Sequence, residues 1–442
     1  MNFKPYSSYT DSEVEWLGKV PSHWDIKPLK YLFKIQKRIA GTLDFNILSI
    51  TQKGLKIKDI ESNKGQIAQD YSKYQLVRKG DFAMNHMDLL TGWIDISNFE
   101  GVTSPDYRVF ESRSKCLNKQ YFLYLFQMGY KNKILFAYGK GAAQLGRWRL
   151  QSEAFNTLKF PSPSLKEQNL IVSFLDSETS RIDNLIAKQE KLIEKLEEHR
   201  KSVISHTVTK GLNPNIPLKD SGVVWLGEVP EHWKLLKTRH IFSFSKGLTI
   251  TKEDLGDEGI PCINYGEIHS KYGFEFNPSD NPLKCISHDF IKSNKNCLLN
   301  EGDFIFADTS EDLEGSGNFS YLNQSALVFA GYHTIIARPK SGLNHRYLAY
   351  MFDSQAYRGQ VRSEMKGVKV YSVSQGVLKS RLAWLPPIEE QDQIVKLLDE
   401  KSSKIITLIA KQRELIAKLK SYRTSIISHA VTGKIDVRDL VA

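Results

Sequence analysis

Val14-Glu15-Trp16-Leu17-Gly18-Lys19-Val20-Pro21-Ser22-His23-Trp24 returns 209 residues later as Val223-Val224-Trp225-Leu226-Gly227-Glu228-Val229-Pro230-Glu231-His232-Trp233. A second phrase, Ala187-Lys188-Gln189 followed by Ile204-Ser205-His206-Thr207-Val208-Thr209, returns 223 residues later as Ala410-Lys411-Gln412 and Ile427-Ser428-His429-Ala430-Val431-Thr432. A period of this length is far beyond the ~20–50 residues of a solenoid unit. It means two copies of one domain-plus-helix module. Between the phrases the second copy is 14 residues longer, and there the copies barely resemble each other. The frame repeats and the contents differ, as expected if each copy reads a different target on a common scaffold.

Outward from these phrases, four segments emerge: a first domain over 1–163, a helix over 164–212, a second domain over 213–386 and a second helix over 387–442. Both domains are strand-rich. Phe45–Ile50, Trp93–Ile96 and Tyr107–Phe110 in the first, and Phe304–Ala307 and His333–Ala337 in the second, are β-branched and aromatic runs bounded by turn residues. One helix interrupts each domain, near Lys119–Phe136 and His345–Val361. Residues 211–221, containing Asn213-Pro214-Asn215-Ile216-Pro217, read as a linker.

The long helices carry a heptad pattern. Leu175, Ile182, Gln189, Leu196 and Val203 recur every seven positions, and Leu398, Ile405, Gln412, Leu419 and Ile426 match them one for one. Leu185 and Leu192, with Leu408 and Leu415 in the second copy, are the expected second seam row. Gln189 and Gln412 put a polar residue at the same seam position, which fixes register at a cost in stability; the alternative is a tolerated surface-edge Gln. Ser164-Leu165-Lys166-Glu167 fits a capping box, and Gly211 with Pro214 beyond it marks the helix end. The expected fold is α+β: two mixed α/β domains separated by two long antiparallel coiled-coil helices, related by a pseudo-two-fold axis. Leu175 to Val203 spans ~42 Å at ~1.5 Å per residue, beside ~34–36 Å for one turn of B-DNA.

Composition narrows the function. With 41% hydrophobic and 25% charged residues the chain is a globular protein. No apolar run reaches the ~18 residues of a membrane span, and Met1-Asn2-Phe3-Lys4-Pro5 is no signal peptide, so the expected location is cytoplasmic. Cys116, Cys262, Cys285 and Cys297 lack metal-site spacing and read as reduced thiols. A net charge of +11 suits a polyanion, because phosphate neutralisation by Lys and Arg releases counterions.

Motifs for catalysis fail. Gly141–Trp148 resembles a phosphate loop in outline but lacks the Gly-Lys-Ser/Thr ending, and Gly315-Ser316-Gly317 is too short for a dinucleotide site. There is no His-Glu-x-x-His, no Gly-x-Ser-x-Gly and no Asn-Pro-Pro-aromatic loop. Asp106 and Glu111 hint at a nuclease carboxylate cluster, but on one short strand and without a second copy. No cofactor or metal is expected in this chain. It binds rather than reacts.

Candidate readers of DNA lie in the non-repeating parts. In the first domain these are Asn85, His86, Asp88, Arg108, Lys140, Gln144, Arg147, Trp148 and Arg149. In the second they are Asp308, Thr309, Asn318, His333, Lys366, Lys369 and Tyr371. Arg pairs bidentately with guanine or anchors phosphate, and Gln pairs with adenine. The alternative for each is a solvated surface group, and for Trp148 a half-buried core aromatic. By the offset of 223, Trp148 aligns with Tyr371 and Leu150 with Val373, so one loop precedes the long helix in both copies.

Several doubled motifs together are specific. Trp-Leu-Gly-x-Val-Pro-x-His-Trp, Gly80-Asp81-Phe82 with Gly302-Asp303-Phe304, Leu165-Lys166-Glu167-Gln168 with Ile388-Glu389-Glu390-Gln391, and the two Ile-Ser-His-x-Val-Thr endings resemble the specificity subunit of type I restriction-modification systems. The resemblance covers nearly the whole chain; one departure is Pro387 where the first copy has Ser164. It implies two target recognition domains, each reading half of a split asymmetric DNA site, and two helices that act as a ruler and dock partners. The implied partners are two modification subunits, which bring S-adenosylmethionine and methylate a flipped adenine, and two restriction subunits, which bring ATP and Mg2+ for translocation and cleavage. The other reading is a coiled-coil scaffold from a silent specificity locus with little DNA binding of its own.

Overall fold

The structure, a computed structural model, describes residues 3–59, 71–141, 148–280, 282–365 and 370–440. The chain divides into two units. One comprises Met1–Glu190 with Arg413–Ala442, the other Lys191–Gln412.

In the first unit a four-stranded antiparallel sheet is built from β1 (Phe33–Gln36), β2 (Phe82–Met84), β3 (Ile94–Ile96) and β4 (Arg108–Ser112), in the order β1-β4-β2-β3. Helix α1 (Lys119–Lys131) closes one face. Phe33, Phe82 and Phe110 from the sheet meet Phe122 and Phe126 from α1 and Phe155 beyond it, with ring centroids 5.0–6.1 Å apart. Aromatic rings at offset and edge-on geometry add to burial, so this cluster is the unit's core. The helix predicted over Lys119–Phe136 breaks at Lys133, which adopts a left-handed backbone before a short turn over Ile134–Ala137.

Beyond α1, helix α2 runs over Leu165–Lys210. The second unit repeats the plan with five strands: β5 (Phe242–Lys246), β6 (Phe274–Phe276), β7 (Phe304–Ala307), β8 (Phe319–Leu322) and β9 (Thr334–Pro339), ordered β5-β9-β7-β8-β6. The added strand β6 pairs parallel to β8. It lies before Gly302-Asp303-Phe304, where 13 of the 14 extra residues fall. Helix α3 (His345–Asp353) packs on the sheet, and Ser354 caps a new helix over Gln355–Arg362, so the expected continuous helix to Val361 is two. The last element is α4 (Ile388–Val431). Residues 218–220, expected in the linker, form a strand on Glu228–Pro230, as Tyr9–Asp11 does on Lys19–Pro21.

The repeated phrases repeat because they dock on each other. In the first unit the buried Glu167 carboxylate accepts a hydrogen bond from Trp24 Nε1 at 3.0 Å and holds His23 Nε2 at 3.0 Å. In the second, Glu390 holds Trp233 Nε1 at 3.2 Å and His232 Nε2 at 2.7 Å. The capping box is therefore half filled: Glu167 N donates to Ser164 Oγ at 3.3 Å, but the Glu167 side chain serves the domain head. Next in line, Gln168 accepts from Asn118 N and donates to Pro163 O, and Gln391 does the same with Asn344 N and Pro386 O. Asn118 and Asn344 in turn cap α1 and α3.

Each head is also closed by the end of a long helix. Gly433, at φ +71°, lies under Pro21 and Trp24, where a Cβ would come within 2.4 Å of Pro21 Cδ. Gly211, at φ +74°, sits against Glu390, Trp233 and Pro230. Lys434 Nζ donates to Leu17 O and Lys19 O, and Lys210 Nζ to Glu228 O. Each unit thus joins the start of one long helix to the end of the other, the arrangement expected of an antiparallel pair.

In the expected first row Leu175, Ile182, Leu398, Ile405 and Ile426 are buried, while Gln189, Gln412, Leu196, Val203 and Leu419 are half-buried. The second buried row differs from the expected one. It lies four residues after the first, at Thr179, Ile186, Ile193, Arg200 and Thr207 in α2 and at Ser402, Ile409, Ile416, Arg423 and Ala430 in α4. Leu185 and Leu408 lie outside it, and Leu192 and Leu415 are 40% and 41% exposed. No helix among the described residues is long and apolar enough to cross a membrane. The four cysteines are free, with Cys262, Cys285 and Cys297 buried in the second unit.

Replacing a buried acceptor of charged hydrogen bonds costs about 2–4 kcal/mol. Glu167→Ala is expected to destabilise the first unit by that amount in urea unfolding. Glu390→Ala costs less, because its side chain is 17% exposed against 6% for Glu167. Equal losses would show that burial does not set the strength of this contact.

Candidate nucleic-acid interface

In the first unit the sheet's β2 ends in the turn Asn85-His86-Met87-Asp88. Asn85 Oδ1 accepts from Met87 N and Asp88 N, and Asp88 Oδ1 accepts from Leu90 N and Thr91 N. Both side chains therefore shape the turn. The strands Lys140–Gly141 and Trp148–Arg149 form a hairpin that is tied to it: Leu150 N donates to His86 O at 2.9 Å and Leu89 N to Trp148 O at 3.2 Å. Trp148 is 39% exposed and rests on Phe136 with centroids 4.7 Å apart, a half-buried aromatic at the rim. Arg149 is exposed, with Asp106 at 3.7 Å, and Lys140 is exposed beside it on the hairpin.

Arg108 is placed differently from expectation. It is 4% exposed, donates from Nη2 to Leu150 O at 2.9 Å, and stacks over Phe155 at 4.8 Å. Burial lowers its guanidinium to about 10. A buried arginine on β4 therefore holds the hairpin's base rather than lying open to solvent. His86 and Arg108 nevertheless each leave one buried nitrogen, Nδ1 and Nη1, without a hydrogen-bond partner among the described residues. Both line a hollow of about 380 Å³ with Gln36, Gln75, Asp106 and Arg149. The lining is thus mainly polar, which suits a polar ligand.

The second unit builds the same junction from other residues. Strand β7 ends in Asp308-Thr309, and Val373 N donates to Asp308 O at 2.8 Å, the counterpart of Leu150 to His86. Tyr371–Ser372 pairs with Thr309–Ser310. Asp308 Oδ1 accepts from Thr309 Oγ1 at 2.7 Å and lies 3.1 Å from His333 Nδ1. Asn318 Oδ1 accepts from Arg358 Nη1, and its amide faces His269 Nδ1 at 3.0 Å, leaving His269 Nε2 to donate to Thr309 O at 2.8 Å. Of these, His269, Thr309 and Asn318 border a hollow of about 670 Å³ lined also by Tyr265, Asp312 and Glu314. Where the first hollow carries two arginines, the second carries carboxylates.

The structure thus gathers Asn85, His86, Asp88, Trp148 and Arg149 at one strand end, and Asp308, Thr309, His333 and Tyr371 at the equivalent end, with Asn318 inside the hollow. Gln144, Arg147, Lys366 and Lys369 lie outside the described residues. Gln36, Gln75, Tyr265 and His269 were missed; each reaches its hollow from a distant stretch of chain with no local motif. Asp106 and Glu111 do not act together: Asp106 faces Arg149, while Glu111 accepts from Gln36 and lies 3.7 Å from Arg38. Among the described residues no cluster of His, Cys, Asp and Glu could hold a metal ion.

A model of the type I restriction modification DNA specificity domain matches the chain twice, over residues 21–198 and 230–418. A twice-used DNA specificity domain is the class that this duplicated fold defines. The chain belongs to the type I restriction-modification DNA specificity family. It is 24% identical over 380 residues to the type I restriction enzyme MjaVIII specificity subunit of Methanocaldococcus jannaschii, covering 84% of each chain. It is 22% identical to the EcoKI specificity subunit of Escherichia coli K12, over 65% of this chain and 60% of that one. Among solved structures it is similar to a chain from work on the assembly and conformational transition of the type I R-M system, with TM-score 0.68, 16% identity and 93% and 98% coverage. It is also similar to the HsdS subunit of Thermoanaerobacter tengcongensis, with TM-score 0.55, 15% identity and 96% and 100% coverage.

Burial, then the charges of Arg108 and Arg149, hold the His86 imidazole down at about 3. The unfolded chain protonates this residue near 6.5. Stability from His86 is therefore complete above about pH 6.5 and falls as pH drops from there towards 3. Between pH 7 and 5 the residue is expected to cost the protein about 1–2 kcal/mol, and His86→Gln removes that part of the loss. Denaturant unfolding at the two pH values checks it; an unchanged difference in the variant contradicts it.

Proposed function

We propose that this chain is the non-catalytic DNA-recognition subunit of a type I restriction-modification enzyme, and that it reads a bipartite, asymmetric site. Residues 1–163 and 213–386 serve as its two target recognition domains. The observation that carries this reading is the doubled strand-end junction. The backbone bonds Leu150 to His86 and Val373 to Asp308 repeat, while the side chains around them differ in identity and in charge. A repeated junction with exchanged side chains suits two readers of different half-sites. His86 stays neutral at physiological pH, so it suits a base edge better than a phosphate.

In this proposal the heptad helices set the spacing of the half-sites and dock two modification subunits. Those subunits supply S-adenosylmethionine chemistry, and two restriction subunits supply ATP- and Mg2+-dependent cleavage. This chain's own residues position the DNA.

Tethering two modest readers raises the effective concentration of the second once the first is bound. The intact bipartite duplex is expected to bind more than about tenfold tighter than either half-site alone. Fluorescence anisotropy with duplexes selected by the full chain from a random pool measures this. Equal affinity for a single half-site contradicts two readers.

A further inference from the structure

A hollow of about 670 Å³ in the first unit is separate in its lining from the reading hollow and has no role so far. Lys53, Lys131 and Lys133 line it with Arg423, beside Trp93 and Tyr124. The three lysines are exposed, and among the described residues none forms an ion pair with a carboxylate. Lys131 Nζ lies 6.0 Å from the Trp93 ring, and burial together with Arg423 holds its ammonium below the usual range. Arg423 is held by Asp183 at 2.9 and 3.1 Å, which fixes its position. The carboxylate in the lining, Asp95, is engaged by the backbone N–H groups of Leu55 and Ile96. The lining carries four cations, Lys53, Lys131, Lys133 and Arg423, against the single carboxylate of Asp95, a local excess of positive charge that suits an anion.

The second unit shows that this is not a requirement of the frame. The Tyr124 hydroxyl donates to Asp176 at 2.7 Å, and its counterpart Tyr350 donates to Asp399 at 2.6 Å. Beside that shared contact, the second unit places Arg346 between Glu275 and Asp399, at 2.6 Å from each. The first unit has Gln120 at the position of Arg346 and leaves the space open and cationic. One copy neutralises the site internally and the other leaves its charge for a ligand.

The loop that follows β2 joins the two hollows: His86 borders the reading hollow, and Leu90 and Trp93 border this one. Seven residues span at most ~24 Å, about seven base-pair steps of B-DNA at ~3.4 Å. We propose that Lys53, Lys131 and Lys133 each contact a backbone phosphate of the duplex flanking the half-site read by the first unit, without regard to base sequence. This rests on the DNA-binding reading above and adds a phosphate anchor in the first unit. A phosphate contact of this kind sets register and strengthens binding, but it carries no sequence information.

The test is a salt titration of the full chain on its selected duplex and on an unrelated duplex, from about 50 to 200 mM. The variant Lys53→Gln/Lys131→Gln/Lys133→Gln is expected to lower the slope of log K against log salt by about 2–3. It weakens both duplexes by the same factor. Lys53→Gln alone, on an exposed turn, lowers the slope by about 1 and serves if the triple variant melts early. An unchanged slope, or a loss confined to the selected duplex, overturns the proposal. So does retention of the slope while inorganic phosphate or a mononucleotide alone binds the hollow. Failure of the DNA-binding reading is distinguishable, because the unaltered chain would then show no preference for the selected duplex.

Discussion

One carboxylate, used twice, holds each half of the molecule together. Glu167 and Glu390 start the long helices and receive the indole N–H and imidazole of the His-Trp pair at each domain head. A buried carboxylate is costly unless its oxygens are satisfied, so these pairs are tightly constrained in place and in direction. Everything else in the frame is positioned from them. The neighbouring glutamine fixes the start of the domain helix, and the glycine that ends the opposite long helix fits beneath the same Pro and Trp. A side chain at Gly433 would collide with Pro21.

That frame leaves the far end of the central strand free to vary. In both units the strand after Gly-Asp-Phe runs out of the sheet into a turn, and the segment before the long helix bonds back onto it. The backbone geometry there is shared, so side chains can differ between the copies without disturbing the strand and turn that carry them. The first junction presents Arg149 and a neutral His86 over a buried Arg108; the second presents Asp308, His333 and an acid-lined hollow. Two such surfaces on one chain suit an asymmetric target.

The large-scale plan was legible in the sequence because repetition is visible without any physical model. The first heptad row was legible for the same reason: Leu175, Ile182, Leu398 and Ile405 are apolar and evenly spaced. The second row was misread because Leu185 and Leu192 are more apolar than Thr179 and Arg200, which occupy the seam. Thr179 is tolerated there because its hydroxyl donates to Leu175 O at 2.6 Å within the helix. Glu167 was legible as a helix cap but not as the acceptor for a tryptophan 143 residues earlier, since no local pattern encodes that distance. Arg108 looked like a reader on chemistry alone, and only the stacked Phe155 and the Leu150 carbonyl reveal its place in the core.

The central claim is that one frame carries two separate readers. It is tested most directly by placing a photo-crosslinking amino acid at Trp148 or at Tyr371 in the full chain bound to its selected duplex, and mapping the crosslinked bases. The account predicts crosslinks in one half of the site from position 148 and in the other half from position 371. Crosslinks from both positions to the same half would contradict it.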